Sequence, residues 1–253
     1  MIQKKLGIFF VKWLWKALDN EFVTVENIIS FLERAYCVAD SYRNNPYYET
    51  QNDSCRFFLQ EIIIYIIAIL YKKKKFREIS QLVKTTYFPN STRRYVREGI
   101  HLEEFYFYLQ SLESRNRRLK LNRKSIHADL LMQRAAINDI DIDFEDVQFA
   151  DNLILMLSEW YFKHEGNYCY WYPVTIVYNR FGYNDCLQLK KYLISKSRFE
   201  VIRELFQVEN KTEFVKRYNE LSSLLEGSNR RVDFCTIPSI CSIVNKDELF
   251  SKE

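Results

Sequence analysis

The chain has 253 residues, of which 47% are apolar and 28% are charged, and its net charge is +4. These proportions lie near the average of globular proteins and exclude disorder as the main state of the chain. It contains only five glycines and four prolines, whereas sandwiches, barrels and doubly wound folds use both residues in frequent turns. We therefore predict an all-α fold, a bundle of roughly nine to eleven helices followed by a short irregular C-terminal tail.

Apolar spacing and capping residues place the predicted helices along the chain. Thr24 and Asp143 are suitable N-caps, and Pro173 suits the first turn of a helix. Gly166 and Asn167 are expected to end the helix that begins after Asp143. The predicted helices cover residues 2–18, a segment starting at 24, 54–74, 77–84, 101–136, 144–165, a segment starting at 173, 184–194, 197–206 and 211–225.

The segment from 101 to 136 has the most regular apolar spacing. Its large apolar residues recur in steps of three, four or seven, as one helical face requires. Two interpretations follow: one long helix, or two helices with a break near Asn122 and a restart after Ser125. The residues of this series are Phe105, Leu109, Leu112, Leu119, Ile126 and Leu130.

The most apolar run, residues 62–71, has only ten residues, whereas a membrane-spanning helix needs about 20. We therefore predict a buried core helix and no membrane span. None of the six cysteines forms a C-x-x-C pair, which favours reduced thiols in a cytoplasmic protein. No linker clearly divides the chain, so residues 1–253 are predicted to form a single helical domain. A weaker subdivision separates a basic half, 1–137, from an acidic and aromatic half, 138–253.

The first predicted helix is apolar around most of its circumference, with lysines confined to one stripe. Such a helix must be covered, either by the rest of the chain or by another molecule. Among other molecules, we favour a protein subunit over a membrane surface. The candidate partner-binding residues are Phe9, Phe10, Trp13 and Trp15.

The net charge of +4 is unevenly distributed. Residues 72–124 contain 15 Lys and Arg and 5 Glu, a balance of about +10, so the rest carries about −6. A sharply acidic segment, residues 139–151, follows directly. The basic residues could pair with this segment, remain solvated, or bind nucleic acid. The candidate nucleic-acid-binding residues are Arg93, Arg94, Arg97, Arg115, Arg117, Arg118, Lys120, Arg123 and Lys124.

The chain offers few catalytic patterns. His and Cys residues do not follow a common zinc spacing, and we predict no metal and no cofactor. Arg94 and His101, separated by six residues, loosely resemble the R-x(4–6)-H motif of the helical ribonuclease family called HEPN. That resemblance implies RNA cleavage at a dimer interface, although Gly99 would interrupt the helix that should carry the motif. We expect a protein that is not an enzyme, with ribonuclease activity as the weaker alternative.

Several segments, taken as an ordered set, resemble a poorly characterised helical module of bacterial anti-phage proteins. They are "FFLQEIIIYIIAILYKKKKF", "SIHADLLMQRA", "FEDVQFADNLILML", "WYPVTIVY" and "RFEVIRELFQVENKTEF". In such proteins the module often follows a Toll-like or sirtuin-like effector domain, so the resemblance implies a sensing, regulatory or assembly role. The function expected from the sequence is a non-catalytic interaction or sensor module, or an accessory subunit, of a multi-component bacterial defence system that acts by binding other protein subunits. The alternative is a nucleic-acid-binding module that uses residues 93–124.

Overall fold

A computed structural model of the chain describes residues 2–20, 22–40, 50–90, 99–137, 140–163, 170–178, 187–226, 231–232, 235–236 and 239–253. These residues confirm the predicted all-α class. The only strands described form a two-residue antiparallel pair, β1 (Arg231–Val232) and β2 (Cys235–Thr236). Short 3₁₀ turns occur at Leu102–Phe105, Val174–Tyr178 and Lys246–Glu248. The described α-helices are α1 (Ile2–Asp19), α2 (Val25–Asp40), α3 (Asp53–Lys72), α4 (Phe76–Lys84), α5 (Gln110–Arg118), α6 (Ile126–Ala135), α7 (Phe144–Phe162), α8 (Leu187–Ile194), α9 (Phe199–Phe206), α10 (Lys211–Leu225) and α11 (Ile240–Ile243).

Polar side chains fix the starts of several helices. The Thr24 hydroxyl accepts from the backbone N–H of Asn27 at the start of α2. Asp143 and Asp146 form a reciprocal capping box at the start of α7, and Asn210 accepts from the N–H of Glu213 at the start of α10. Each contact satisfies a backbone donor that the helix itself leaves unpaired. The two predicted N-caps, Thr24 and Asp143, are thus confirmed, whereas Pro173 is followed only by a 3₁₀ turn.

Helix α3 lies at the centre of the bundle and packs against α1, α2, α4 and α7. Every side chain from Ile62 to Leu70 is at most 3% exposed, because neighbouring helices cover all sides of this segment. Among the described helices, α3 alone is long and apolar enough to cross a membrane. However, 78% of its most apolar window is buried inside the protein. Such burial agrees with the predicted core helix.

The segment 101–136 is not one long helix. A 3₁₀ turn is followed by extended residues 106–109, then α5, a loop, and α6. Lys120 and Asn122 adopt left-handed conformations, with φ of 49° and 51°, which end α5 and reverse the chain. Ser125 then caps α6 by accepting from the N–H of Ala128. The interpretation with a break near Asn122 and a restart after Ser125 is therefore correct, although residues 101–109 are not α-helical.

The C-terminal residues were expected to be irregular, but those described contain α11 and a 3₁₀ turn and pack on the bundle. The backbone N–H groups of Phe250 and Lys252 donate to the carbonyls of Leu193 and Ile194. The Phe250 ring packs edge-on against Phe214, with centroids 5.5 Å apart. These contacts attach the tail to the end of α8.

A single cluster of buried apolar side chains extends from Val11 in α1 to Phe250 in the tail. It includes residues on both sides of the weaker subdivision predicted near residue 137.

Helix α7 ends at Phe162, before the predicted stop at Gly166 and Asn167, which lies outside the described residues. There Arg217 of α10 donates two hydrogen bonds to the carbonyl of Trp160 and one to that of Lys163, at 2.9–3.1 Å.

Candidate partner-binding surface and basic loop

Helix α1 separates its four candidate aromatic residues into two pairs. Phe9 and Trp13, one turn apart, are 69% and 48% exposed. Phe10 and Trp15 instead pack against the bundle. The Phe10 ring stacks on Phe31 of α2 at 4.9 Å, and Trp15 lies under the ammonium of Lys73 at 3.9 Å. Of the four candidates, Phe9 and Trp13 are therefore the two that are placed to contact another molecule.

A third aromatic residue extends this surface, and it was missed from the sequence. Phe22, in the connection between α1 and α2, is 79% exposed. It shares a groove with Trp13 and Phe10. The available signal was a bulky apolar residue in a short helix–helix connection, where polar residues are usual. We call Phe9, Trp13 and Phe22 the aromatic surface.

Grooves lie on both sides of Trp13. One, of about 360 Å³, runs between α1 and α2, with Phe31 in its wall and Arg34 on its border. The other, of about 690 Å³, is bordered by Lys12, Lys16 and Asp141. Trp13 is therefore a ridge between two apolar depressions, each with at least one cation on its border.

The second candidate site, residues 115–124, comprises the last turn of α5 and the connection from α5 to α6, and we call it the basic loop. Arg123 is its only cation with an ion pair among the described residues. Its guanidinium donates to Asp129 at 2.5 and 2.9 Å and to the hydroxyl of Tyr178 at 3.1 Å. The other cations are exposed, and no described carboxylate lies within salt-bridge distance of them. They are Arg115, Arg117, Arg118, Lys120 and Lys124.

Arg93, Arg94 and Arg97 lie outside the described residues. The structure therefore places six of the nine candidate nucleic-acid-binding residues on the basic loop. Their sequence positions predicted cations distributed around one helix, but the helix ends at Arg118. Arg115, Arg117 and Arg118 therefore lie on its last turn, and the other three cations lie on the connection that follows.

The acidic segment has other partners among the described residues. Asp141 and Asp146 lie 3.7 and 3.0 Å from the ammonium of Lys72. Asp151 is fully buried and accepts from the indole N–H of Trp171 and from the backbone and hydroxyl of Thr175. Burial raises the pKa of Asp151 to about 6 despite these hydrogen bonds. Of the stretch 72–124, Lys72 pairs with the acidic segment, whereas the described contacts of the basic loop are with α6 and the 174–178 turn.

A buried polar cluster lies between α3 and α6. Arg134 forms an ion pair with Glu61, and its guanidinium lies over the Phe57 ring. Burial nevertheless raises the pKa of Glu61 to about 7. His127 packs against the same ring, with centroids 4.9 Å apart, and its Nε2 has no hydrogen-bond partner. Burial and the nearby Arg134 lower the pKa of His127 to about 3, so its imidazole is neutral near pH 7.

His101, a residue of the ribonuclease alternative, lies in an extended segment rather than in a helix. Ile100 and Tyr87 form an antiparallel bridge, and Gly99 has φ of 102°, a conformation that glycine adopts without strain. The His101 ring stacks on Phe162 at 3.9 Å. His101 is therefore not on a helix, as the motif would require, and Arg94 lies outside the described residues.

Among the described residues, no group of three or more His, Cys, Asp or Glu could hold a metal ion. The thiols of Cys37, Cys55 and Cys241 are free. Comparison with known proteins gives no match to any family model, curated protein or solved structure.

Proposed function

We propose that the protein is a non-catalytic accessory subunit that binds a protein partner through the aromatic surface of α1. The observation that carries this proposal is the exposure of Phe9 and Trp13 on a helix whose other aromatic residues are packed. Exposed Trp and Phe between apolar depressions are the side chains that most often dominate binding at protein interfaces. An amphipathic helix placed beside Trp13 would fill one groove and exclude water from the ring.

The border of the grooves indicates the chemistry of this partner. Lys12, Lys16 and Asp141 border one groove and Arg34 borders the other. Cations therefore predominate, and the one carboxylate is 3.7 Å from the ammonium of Lys72. An apolar stripe flanked by Asp or Glu would be complementary to this arrangement. A second copy of α1 would offer the same lysines and not a row of carboxylates, so a different protein is the favoured occupant.

The proposed setting is a cytoplasmic bacterial defence system. Its support is the resemblance of the five quoted segments to the helical module of anti-phage proteins. In that setting the partner would be an effector or sensor subunit, and this chain would assemble or regulate it.

The proposal can be tested with a labelled acidic amphipathic helical peptide and its lysine-bearing counterpart, measured by fluorescence anisotropy. The acidic peptide should bind more tightly. Trp13→Glu should weaken that binding about 30-fold or more, because loss of a central Trp typically costs at least about 2 kcal/mol. Tyr108→Glu is the matched control, since Tyr108 is an exposed aromatic residue, at 64%, outside the aromatic surface.

Two outcomes would contradict the proposal. One is equal binding of the acidic and basic peptides, and the other is unchanged binding by Trp13→Glu. Light scattering adds a separate check, because a dimer dissociated by Trp13→Glu would identify a second copy as the occupant. Co-purification with the products of neighbouring genes would then test the proposed defence setting.

A further inference from the structure

The basic loop concentrates positive charge beyond what the proposed partner binding requires. Residues 114–128 contain six Lys and Arg and no carboxylate. Five of the six cations have no ion pair among the described residues, while Arg123 is occupied by Asp129. Clustered like charges repel one another, so the arrangement is best explained by an anionic ligand that offsets this repulsion.

The loop has a defined conformation held by its own polar contacts. The Asn116 amide donates to the carbonyl of Arg123 at 2.7 Å and accepts from its N–H at 3.2 Å. Asp129 and Tyr178 then hold the Arg123 side chain. Backbone N–H groups at 119, 120 and 121 donate back into α5. The cations are therefore presented on the last turn of α5 and the closed turn after it, and this fixed backbone reduces the entropy lost when they bind a surface.

Two leucines lie among these cations and point to the kind of surface. Leu119 and Leu121 flank Lys120 and are 50% and 40% exposed, although burying a leucine is favourable by about 1.5–3 kcal/mol. Alternating Leu and Lys at the tip of a loop is suited to the boundary of a bilayer, where apolar groups enter the acyl region and cations remain among headgroup phosphates.

We propose that the basic loop is a docking site for an anionic phospholipid surface. Leu119 and Leu121 enter the boundary between headgroups and acyl chains. Arg117, Arg118 and Lys120 lie against the headgroup phosphates, and the ion pair of Arg123 with Asp129 keeps the loop anchored to the bundle. This site is separate from the aromatic surface and does not depend on the partner proposed for it.

Nucleic acid presents the same phosphate chemistry but fits the rest of the loop less well. Single-stranded binding sites stack bases on aromatic rings, and residues 111–125 include no Phe, Tyr or Trp. Among the residues that the structure describes, the aromatic side chain bonded to the loop is Tyr178, and its hydroxyl is engaged with Arg123 and Asp129. Exposed leucines do not contribute to a phosphate contact, whereas their burial in the acyl region of a bilayer is favourable.

Sedimentation with vesicles tests the proposal. The full chain should bind vesicles of one third phosphatidylserine and two thirds phosphatidylcholine, and should not bind phosphatidylcholine alone. Each basic residue near an anionic membrane strengthens binding about fivefold, so Arg117→Glu with Arg118→Glu should weaken it about 30-fold or more. Leu119→Ser with Leu121→Ser keeps every charge and should weaken binding about tenfold or more.

Lys191→Glu with Lys216→Glu is the matched control, because it changes the net charge equally at two exposed lysines outside the basic loop. This control should bind the anionic vesicles nearly as well as the wild type. Binding to RNA or duplex DNA but not to the vesicles would overturn the proposal and favour nucleic acid. Vesicle binding that is insensitive to the leucine substitutions, or equally reduced by the control, would also overturn it. Circular dichroism of each variant verifies that these surface changes leave the fold intact.

Discussion

Mild acid should destabilise the protein through His127, and replacement of this residue should remove that effect. The imidazole is 7% exposed, packs against Phe57 and leaves Nε2 unpaired. In the unfolded chain it would titrate with a pKa of 6.5, whereas in the fold burial and Arg134 lower the pKa to about 3. Between these values the unfolded state binds the proton more tightly, so the contribution of His127 to stability falls as the pH decreases below about 6.5.

The size of this loss of stability follows from the difference between the pKa values of His127 in the unfolded and folded states. A difference of one pKa unit is worth about 1.4 kcal/mol. From about pH 7 to about pH 4.5, His127 should therefore remove about 2–3 kcal/mol of the free energy of unfolding. For a protein whose total stability is about 5–15 kcal/mol, this loss is large enough to measure by denaturation.

Urea denaturation followed by circular dichroism, at about pH 7 and about pH 4.5, provides the measurement. His127→Leu removes titration and also the unpaired Nε2, so at neutral pH it should gain about 1 kcal/mol. His127→Gln removes titration but keeps a buried polar group, and it serves as the matched control. Relative to the wild type, both variants should gain about 2–3 kcal/mol in the free energy of unfolding on going from about pH 7 to about pH 4.5, whatever the other titrating groups contribute.

The comparison isolates His127 because the other buried groups titrate in all three proteins. If the free energy of unfolding changes between the two pH values as much in both variants as in the wild type, the surroundings of His127 do not keep its imidazole neutral. If only His127→Leu differs, the effect comes from apolar packing rather than from titration.

Three further predictions concern other buried or bridging polar groups. Glu61→Gln should remove a pH dependence of the opposite sign. The raised pKa of Glu61 makes its contribution to wild-type stability fall by about 3 kcal/mol as the pH rises from about 4.5 to about 7.5. The prediction is contradicted if the free energy of unfolding changes equally with pH in the two proteins. Arg217→Met should lower the free energy of unfolding by about 2 kcal/mol, since the carbonyls of Trp160 and Lys163 lose a charged donor; a midpoint in urea that does not change would count against this role. Asn116→Ala should speed proteolysis within the basic loop while changing global stability by about 1 kcal/mol or less; a cleavage rate equal to that of the wild type would show that the amide does not hold the loop.

The sequence predicted helix positions well where local chemistry decides them. Thr24 and Asp143 cap helices because their side chains reach backbone donors only three residues away, and this interaction needs no tertiary structure. The long apolar run was correctly predicted to be the core helix, since its length and composition together favour burial. Helix α10 has the predicted bounds, 211–225.

Side-chain contacts that apolar spacing does not encode, several of them long-range, determine what the sequence did not show. The apolar spacing of residues 105–130 fits one helix, but Asn116 binds the backbone of Arg123 and stabilises a turn at Lys120 and Asn122. Spacing alone cannot show which of the four aromatic residues proposed on α1 are exposed. Phe10 is covered by Phe31 of α2, and Trp15 is covered by Lys73 at the end of α3. Phe22 and the two exposed leucines were missed for the same reason, since exposure is a property of the assembled bundle.

The position of α3 has a consequence for the order of folding. Its contacts with α2 and α4 join neighbouring segments, so this helical hairpin can form early at little cost in loop entropy. Its contact with α7 instead joins segments separated by residues 73–143. Closing that long loop is the non-local step, and we expect α7 docking to limit the rate at which the bundle is completed. Until that step, the isoleucines of α3 that face α7 would be exposed to water, and the unfinished bundle would be the species most prone to aggregate.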